Sequence, residues 1–365
     1  MTKSITTTFH RSYNYGATLQ AYALQQTLLD LGFENKILDF YRDPFEKKPL
    51  FSGDFKKDAI SIVLRILGYI HRKEKIKLVE GFDYFTQRRL LLTKMYNSYN
   101  ELCVNPPYAD CYITGSDQIF ALREPEYVVK RNMLAFVDAK SDKYSYAASL
   151  SDYDLNAEEK AAMKSFLSDF KSISVREEEA ASYLESFIGK QCIVNIDPVL
   201  LMEKSDWETI AVKPAIKEPY ILYFQVNSNP IAKEVLRKVS ENGKYLTVCL
   251  QTSPFIRVRT SKAILDASPE EFLGYLLAAK QVVTTSFHGT AFSILFHKDF
   301  VTLTKCNSNP VRMVNLLRLF GLESHLITDI KDLKKVLPVE WMEVEKQREV
   351  LKKEAINYLK GMKIR

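Results

Sequence analysis

Three side chains capable of acid–base or anion-binding chemistry stand where predicted strands end. His288 lies in TTSFHGTAFSIL, residues 284–295, directly before a glycine and an apolar run typical of a helix. Arg176 ends the stretch SISVR and precedes three glutamates, and Asp117 lies in GSDQ after another predicted strand. An imidazole can transfer a proton, a guanidinium fork suits a carboxylate or phosphate, and a carboxylate can deprotonate a hydroxyl.

Each of these residues also has a simpler explanation that the sequence leaves open. His288 could pack at a tight turn, where Gly289 permits close backbone approach. Arg176 could pair with a neighbouring glutamate, and Asp117 could cap a helix. A helix expected over residues 290–297 would point its N-terminus at His288, and such a terminus favours phosphate.

A fourth cluster occupies HRSYNYGATLQAYAL, residues 10–24, which predicts a strand-to-helix turn. Asn14 and Gly16 stand near the expected helix start, where unpaired amides and the helix dipole can bind an anion or a hydroxyl. Plain capping by Asn14 explains the same pattern equally well.

The elements that must hold these residues alternate between strand and helix along most of the chain. This rhythm predicts an α/β protein with parallel sheets covered by helices. The clearest expected elements are a helix over 14–31, capping boxes at Asn156 with Glu159 and at Ser205 with Glu208, and a helix start at Ser268. Further strands are expected over the ranges 36–40, 111–114, 144–148, 172–175, 193–196, 220–224, 245–250, 281–284 and 301–303, and two helices over 55–92 with a basic hinge at 71–75.

Two Rossmann-like domains facing a cleft follow from this pattern. The stretch AVKPAIKEP, residues 211–219, has two prolines and no periodicity, so it is expected to link the domains. We therefore predict an N-terminal domain over 1–210, a C-terminal domain over 219–338 and a terminal helix over 339–365. In open α/β sheets ligands bind beyond the carboxyl ends of the strands, where all four clusters fall.

Composition is that of an ordinary globular protein, with 46% hydrophobic and 26% charged residues over 365 positions. The five cysteines are scattered without metal-ligand spacing, which predicts reduced thiols and no structural metal. The first twelve residues lack the apolar run of a signal peptide, and no run approaches a membrane span. We expect a cytoplasmic protein.

The net charge of +6 is concentrated in one segment. Residues 56–94 hold ten lysines and arginines against four acidic residues, a local excess of 10 − 4 = +6. Such a segment could dock peripherally on the anionic inner face of a membrane, or it could be an ordinary solvated helix face. Nucleic acid is not an expected partner, because no recognised binding signature occurs.

Taken in order, the clusters resemble the polysaccharide pyruvyl transferase family. The resemblance rests on NYGATLQAYAL, TGSDQIF, YAAS, SVRE, DPVLL and TTSFHGTAFSILF, and it covers about residues 5–330. It implies a two-domain fold like that of GT-B glycosyltransferases. It also implies transfer of the carboxyethylidene group of phosphoenolpyruvate onto two hydroxyls of a sugar, which forms a ketal and releases phosphate.

The resemblance assigns roles residue by residue. Arg176 matches the arginine that holds phosphoenolpyruvate, and His288 matches a histidine that contacts the donor and would act as the acid, with Asp117 as a candidate base. Many members carry an arginine where this chain has Ser286, so Arg312, or else Lys305, is expected to substitute; Phe120 replaces a common tryptophan. The further expected donor contacts are Ser286, Phe287 and Gly289, and the expected acceptor contacts are His10, Asn14, Tyr15, Gly16, Gln20, Ser116 and Gln118.

The implied partners are phosphoenolpyruvate as donor substrate and a sugar or lipid-linked oligosaccharide as acceptor. No cofactor is expected, although a loosely bound divalent cation would leave no motif. Two other functions stay open. One is a glycosyltransferase that uses a nucleotide sugar on the same architecture. The other is a carbohydrate-binding assembly protein without turnover, which Ser286 supports because it stands in place of the arginine of many members.

Overall fold

The computed structural model describes residues 1–41, 69–150, 153–252, 258–304 and 310–363. In these ranges the strands form two six-stranded sheets in which every pairing is parallel. The expected α/β class with two Rossmann-like sheets is therefore confirmed.

The first sheet is built from the N-terminal part of the chain, in the order β2-β1-β3-β4-β5-β6. Its strands alternate with helices, and their residues point alternately into two apolar clusters on opposite faces. The elements are β1 (Thr2–Thr7), α1 (Tyr15–Asp30), β2 (Phe33–Ile37), α2 (Arg72–Arg89), α3 (Tyr99–Val104), β3 (Cys111–Asp117), α4 (Glu126–Asn132), β4 (Asp142–Ala148), α5 (Ala157–Leu167), β5 (Phe170–Val175), α6 (Glu178–Ile188) and β6 (Cys192–Val194).

The second sheet has the order β12-β11-β10-β7-β8-β9, so the strand order reverses between β7 and β10. Such a reversal opens a crevice at the carboxyl ends of the two strands. A 3₁₀ turn (Pro198–Leu200) and α7 (Lys204–Ile210) lead to this sheet. Its elements are β7 (Tyr220–Phe224), α8 (Ala232–Val239), β8 (Leu246–Leu250), β9 (Lys262–Ile264), α9 (Pro269–Ala278), β10 (Gln281–Thr284), α10 (Phe287–Leu295), β11 (Asp299–Leu303), α11 (Val311–Leu319), β12 (Leu326–Ile327) and α12 (Trp341–Gly361).

The carboxyl edges of the two sheets face each other, and apolar packing runs between them. Tyr15 at the start of α1 stacks on Phe272 of α9, with ring centroids 4.5 Å apart, and also touches Phe224 at the end of β7. Its hydroxyl donates a hydrogen bond to the backbone oxygen of Ala267 at 2.9 Å. A single buried cluster thus includes residues of both sheets.

The last helix, α12, packs back on the first half of the chain, as expected. The Tyr358 hydroxyl donates to the backbone oxygen of Ser145 in β4 at 2.8 Å. The buried Arg348 guanidinium reaches the backbone oxygen of Leu200 and the carboxylate of Glu203. The domain limits assigned from the sequence stay a prediction.

Local expectations are mostly confirmed, with four corrections. The strand expected over 36–40 is Phe33–Ile37, because it begins directly after the left-handed Gly32. The capping box expected at Ser205 is formed instead by Glu203 and Asp206, which starts the helix earlier. The hinge expected over 71–75 lies mostly inside α2, and the preceding helix lies largely outside the described residues. The helix expected from Thr290 begins at Phe287.

None of the described helices combines the length and the apolar character that crossing a bilayer would need.

Candidate active site

Strand ends of both sheets bring Arg176, Asp197 and His288 together. Arg176 follows β5, Asp197 caps the 3₁₀ turn after β6, and His288 lies in the first turn of α10. Nη1 of Arg176 donates to Oδ2 of Asp197 at 2.7 Å. Nε2 of His288 lies 3.4 Å from the same oxygen, an ion-pair distance without hydrogen-bond alignment. The carboxylate therefore joins two residues that sequence reasoning had proposed separately.

Asp197 itself was missed as a functional residue. Its signal was present in the sequence, because Asp197-Pro198 follows a predicted strand just as the other clusters do. The carboxylate also accepts a hydrogen bond from the backbone nitrogen of Val199, which is a capping role. The capping bond uses Oδ1 of Asp197, whereas Oδ2 faces Arg176 and His288.

Electrostatics hold this carboxylate ionised although it is buried. Burial alone would raise the pKa of Asp197, but its interactions with His288 and Arg176 outweigh burial and lower the pKa to about 2. For Arg176, burial works against the charged form, and Glu177, Asp197 and Asp117 more than compensate, so its pKa is raised. Arg176 and Asp197 therefore form a buried ion pair at this point.

Arg176 also pairs with its neighbour, as the simpler explanation had it. Its Nε donates to Oε1 of Glu177 at 3.1 Å, and the ring of Phe287 lies 4.0 Å from the guanidinium carbon. Ser149, after β4, donates to the same Glu177 oxygen at 2.7 Å. The guanidinium is therefore clamped in one orientation between two carboxylates and an aromatic ring.

Several buried polar atoms at this point have no hydrogen-bond partner among the described residues. They are Nη2 of Arg176, Oε2 of Glu177, Nε2 of His288 and the hydroxyl of Tyr153. Buried polar atoms are nearly always paired in folded proteins, because an unpaired one costs about 1–3 kcal/mol. Their concentration in one place indicates a site for a polar ligand.

Arg312 lines the same small cavity as Arg176, Asp197 and Phe287. Burial, followed by repulsion from Arg176, lowers the pKa of Arg312. Its helix, α11, is tied to α6 because Asn315 donates to the carboxylate of Glu179. Two guanidinium groups thus approach each other, which favours an anion between them. Lys305, the other candidate to replace the missing arginine, lies outside the described residues.

Ser286 and Gly289 have clear local roles. The Ser286 side chain caps α10 by accepting a hydrogen bond from the Gly289 nitrogen at 3.3 Å. A Cβ atom on Gly289 would lie 2.3 Å from Oγ1 of Thr284 and 2.8 Å from the Phe224 ring, so only glycine fits. Their contact with a donor stays a prediction, as does that of Phe287.

Asp117 ends β3, and no helix begins there, so it is not a helix cap. Its backbone oxygen accepts from the Ser149 nitrogen at 2.8 Å, which places it beside the Glu177 contact. Its charge acts on both Arg176 and Arg312. The proposed role as base stays untested.

The residues expected to bind an acceptor are divided by the structure. Gly16 lies against the imidazole, since a Cβ there would be 2.0 Å from Nδ1 of His288. Most of the others serve internal hydrogen bonds, and Gln118 is half-buried. Tyr15, Gln20 and Ser116 donate to Ala267, Thr8 and Ala147, respectively. The side-chain oxygens of Asn14 and Gln20 accept from the backbone nitrogens of Ala17 and Ser116. The His10 ring lies within hydrogen-bond distance of the Asp39 carboxylate. Their role as acceptor contacts stays a prediction.

Solved structures with this fold define its class. The chain superposes on UDP-GlcNAc 2-epimerase from Neisseria meningitidis with a TM-score of 0.50 at 12% identity, covering 99% of this chain and 93% of that one. It superposes on S. aureus MnaA, solved with UDP, with a TM-score of 0.50 at 13% identity, covering 98% and 90%. A further UDP-N-acetylglucosamine 2-epimerase gives a TM-score of 0.51 at 10% identity, covering 96% and 90%. The protein has a GT-B-like fold.

The family follows from the sequence. The model of the polysaccharide pyruvyl transferase family matches residues 14–306, most of the chain, and the protein belongs to that family. The matched range contains Asp117, Arg176, Asp197 and His288. No curated protein matches the sequence.

Proposed function

We propose that the protein transfers the carboxyethylidene group of phosphoenolpyruvate onto two hydroxyls of a sugar. The acceptor would belong to a bacterial-type surface polysaccharide or to its lipid-linked precursor. The observation that carries this proposal is that Arg176 and Arg312 line one cavity with Asp197, which also contacts His288, and that polar atoms of Arg176 and His288 are buried without a hydrogen-bond partner among the described residues. Membership of the pyruvyl transferase family supports it.

The proposed chemistry begins with a proton. Protonation of the methylene carbon of the enol phosphate makes the neighbouring carbon electrophilic, and Nε2 of His288 is the atom proposed to supply that proton. The Asp197 carboxylate lies 3.4 Å from this same nitrogen, and its negative charge would favour the protonated imidazolium.

Two hydroxyl additions would complete the reaction. The first sugar hydroxyl bonds to the electrophilic carbon, and the second bonds to the same carbon as the carbon–oxygen bond to phosphate breaks. One hydroxyl proton replaces the proton given to the methylene carbon, and the other leaves with phosphate. Asp117 is the proposed base for a hydroxyl, and Arg176, Arg312 and the N-terminus of α10 would stabilise the departing phosphate.

The acceptor could be presented from a membrane surface. Residues 69–94 of the basic segment are described, and two of their cations already pair with the second half of the chain: Lys77 with Asp266 and Arg89 with Glu270. The rest of the segment would provide the docking surface. Failure to sediment with anionic liposomes at low salt would remove this part of the proposal.

A nucleotide-sugar glycosyltransferase is the competing function, since UDP accompanies a structural neighbour. In this chain Tyr15 at the start of α1 covers the carboxyl end of β7, and the neighbouring Gly16 lies against His288, which follows β10. Tyr15 is 1% exposed, so a nucleoside at this crevice would have to displace it. This packing favours a smaller donor.

Thermal unfolding with each donor tests the proposal. Phosphoenolpyruvate at a hundredfold excess over its Kd should stabilise the protein by about 2.7 kcal/mol, a shift of a few degrees. UDP-glucose and UDP-N-acetylglucosamine should give no shift. A shift with a UDP-sugar alone would favour the glycosyltransferase. Absence of any shift would favour the carbohydrate-binding alternative.

A further inference from the structure

Tyr153 is a residue that neither the motifs nor the proposed mechanism uses. It lies on the segment between β4 and α5, which follows the same strand end as Ser149. Its ring packs edge-on against Tyr183 of α6, with ring centroids 5.7 Å apart. Since β4 lies between β3 and β5, this segment stands between Asp117 and Arg176 at the carboxyl edge.

The hydroxyl of Tyr153 is buried without a hydrogen-bond partner among the described residues. Its surroundings are charged, because Glu177, Glu179, Arg176 and Arg312 all act on it. Burial, and then the two carboxylates, raise the pKa of this phenol, so it keeps its proton at neutral pH and can donate a hydrogen bond. A proton donor here would serve an anion and would not act as a base.

The hydrogen-bond donors available at this point can be compared with the oxygens of a phosphoryl group. A phosphoryl group offers three terminal oxygens, while Arg176 has only Nη2 free because Nε and Nη1 already serve Glu177 and Asp197. Arg312, which lines the same cavity as Arg176, provides a second cation. A third, neutral donor would complete the set without adding charge.

We propose that the Tyr153 hydroxyl is this third donor and binds a phosphoryl oxygen of the donor substrate, together with Arg176 and Arg312. The proposal rests on the proposed function for the identity of the donor. The phosphoryl contact itself is independent of which group is transferred.

The experiment compares Tyr153→Phe with wild type by calorimetric titration of phosphoenolpyruvate, inorganic phosphate and pyruvate. Phenylalanine keeps the ring contact with Tyr183 and removes only the hydroxyl. Tyr223→Phe is the matched control, because the Tyr223 hydroxyl is also buried and unpaired among the described residues but faces the apolar cluster behind the second sheet.

A hydrogen bond to a charged group predicts a roughly tenfold or larger weakening of phosphoenolpyruvate and phosphate binding in Tyr153→Phe. Pyruvate binding and the Tyr223→Phe control should not change. Equal affinity of Tyr153→Phe and wild type for both phosphate compounds would overturn the inference and leave the proposed function intact. Weakened phosphate binding in a protein that ignores phosphoenolpyruvate would support the inference and defeat the proposed function. A wild type that binds neither compound would overturn both.

Discussion

Among the described residues, two buried arginines are surrounded by carboxylates, and one of them, Arg176, has a side-chain nitrogen without a hydrogen-bond partner. The Arg176 cluster consists of Arg176, Glu177, Asp197 and His288, and contains unpaired atoms on three of its members. The Arg348 cluster consists of Arg348 and the three carboxylates of Glu203, Glu345 and Glu349. Here the guanidinium also donates to the backbone oxygen of Leu200, and Lys352 shares Glu203.

The difference separates a structural ion cluster from a candidate site. Both clusters flank the same 3₁₀ turn, since Asp197 precedes it and Leu200 ends it. The carboxylates around Arg348 are 36–55% exposed, and solvent can therefore hydrogen-bond to the outer side of this cluster. The Asp197 carboxylate is fully buried, and polar atoms beside it have no hydrogen-bond partner among the described residues, which favours a ligand at this cluster.

The largest effect should come from His288→Ala. A single acid contributes about 10²- to 10⁴-fold to a reaction, so phosphate release from phosphoenolpyruvate with hexopyranoside acceptors should fall by this factor. The variant should still fold, because Arg176 and the Val199 nitrogen keep their bonds to the Asp197 carboxylate. Turnover within about threefold of wild type would remove His288 from the chemistry.

Gly16→Ala should come next, although the side chain adds only a methyl group. Its Cβ would lie 2.0 Å from Nδ1 of His288, so the imidazole ring would have to move from its position beside Asp197. A displacement of about 1 Å can cost on the order of 10²-fold in rate.

The matched control is Gly361→Ala in α12, where an added Cβ meets nothing within 4 Å. It should leave turnover unchanged. Equal activity of the two variants would mean that the Gly16 contact does not position His288.

The two arginines can be compared directly with lysine, which keeps the charge and loses the planar fork. Arg176→Lys should weaken phosphoenolpyruvate binding by about tenfold or more, since the clamped guanidinium offers its free Nη2 to the ligand. Arg348→Lys should lower the stability by about 2 kcal/mol and change the donor Kd little. Isothermal titration and urea unfolding of both variants provide the measurements. A similar loss of donor affinity in both would erase the distinction between the clusters.

The last comparison concerns pH and Asp197. The folded pKa of about 2 lies below the ordinary 3.8, so the ionised carboxyl stabilises the fold above about pH 4, and the contribution is lost as pH falls toward 2. Asp197→Asn should therefore be less stable than wild type by about 2 kcal/mol at neutral pH, and the gap should narrow in acid.

Glu203→Gln in the Arg348 cluster is the comparison for this pH series. The Glu203 side chain is 46% exposed, so the loss of unfolding free energy in Glu203→Gln should be smaller than that in Asp197→Asn at every pH where the carboxyls are ionised. Urea unfolding between neutral pH and about pH 3 would measure both. A gap for Asp197→Asn that stays constant in acid would show that its charge does not stabilise the fold.

Short-range patterns in the sequence were enough to predict the fold class, several helix caps and some strand bounds. The alternation of strands and helices predicted the α/β class, and Asn14, Asn156 and Ser268 cap helices as expected. Strands over 220–224 and 281–284 were predicted with the bounds observed. Such features depend on hydrogen bonds between residues three or four apart, so they are legible in one short stretch.

The sequence by itself therefore determined the fold class and the strand ends at which Arg176 and His288 stand. Only the tertiary structure decided that Asp197 joins them, that Gly16 lies against the imidazole and that the Tyr153 hydroxyl is buried without a partner among the described residues. Each of these depends on contacts between segments far apart in the chain, and no local spacing encodes how two sheets approach. A buried arginine is structural when residues of the fold satisfy all of its N–H groups, and it is a candidate ligand contact when one N–H group has no such partner. These partners come from distant parts of the chain, so only the folded structure identifies them.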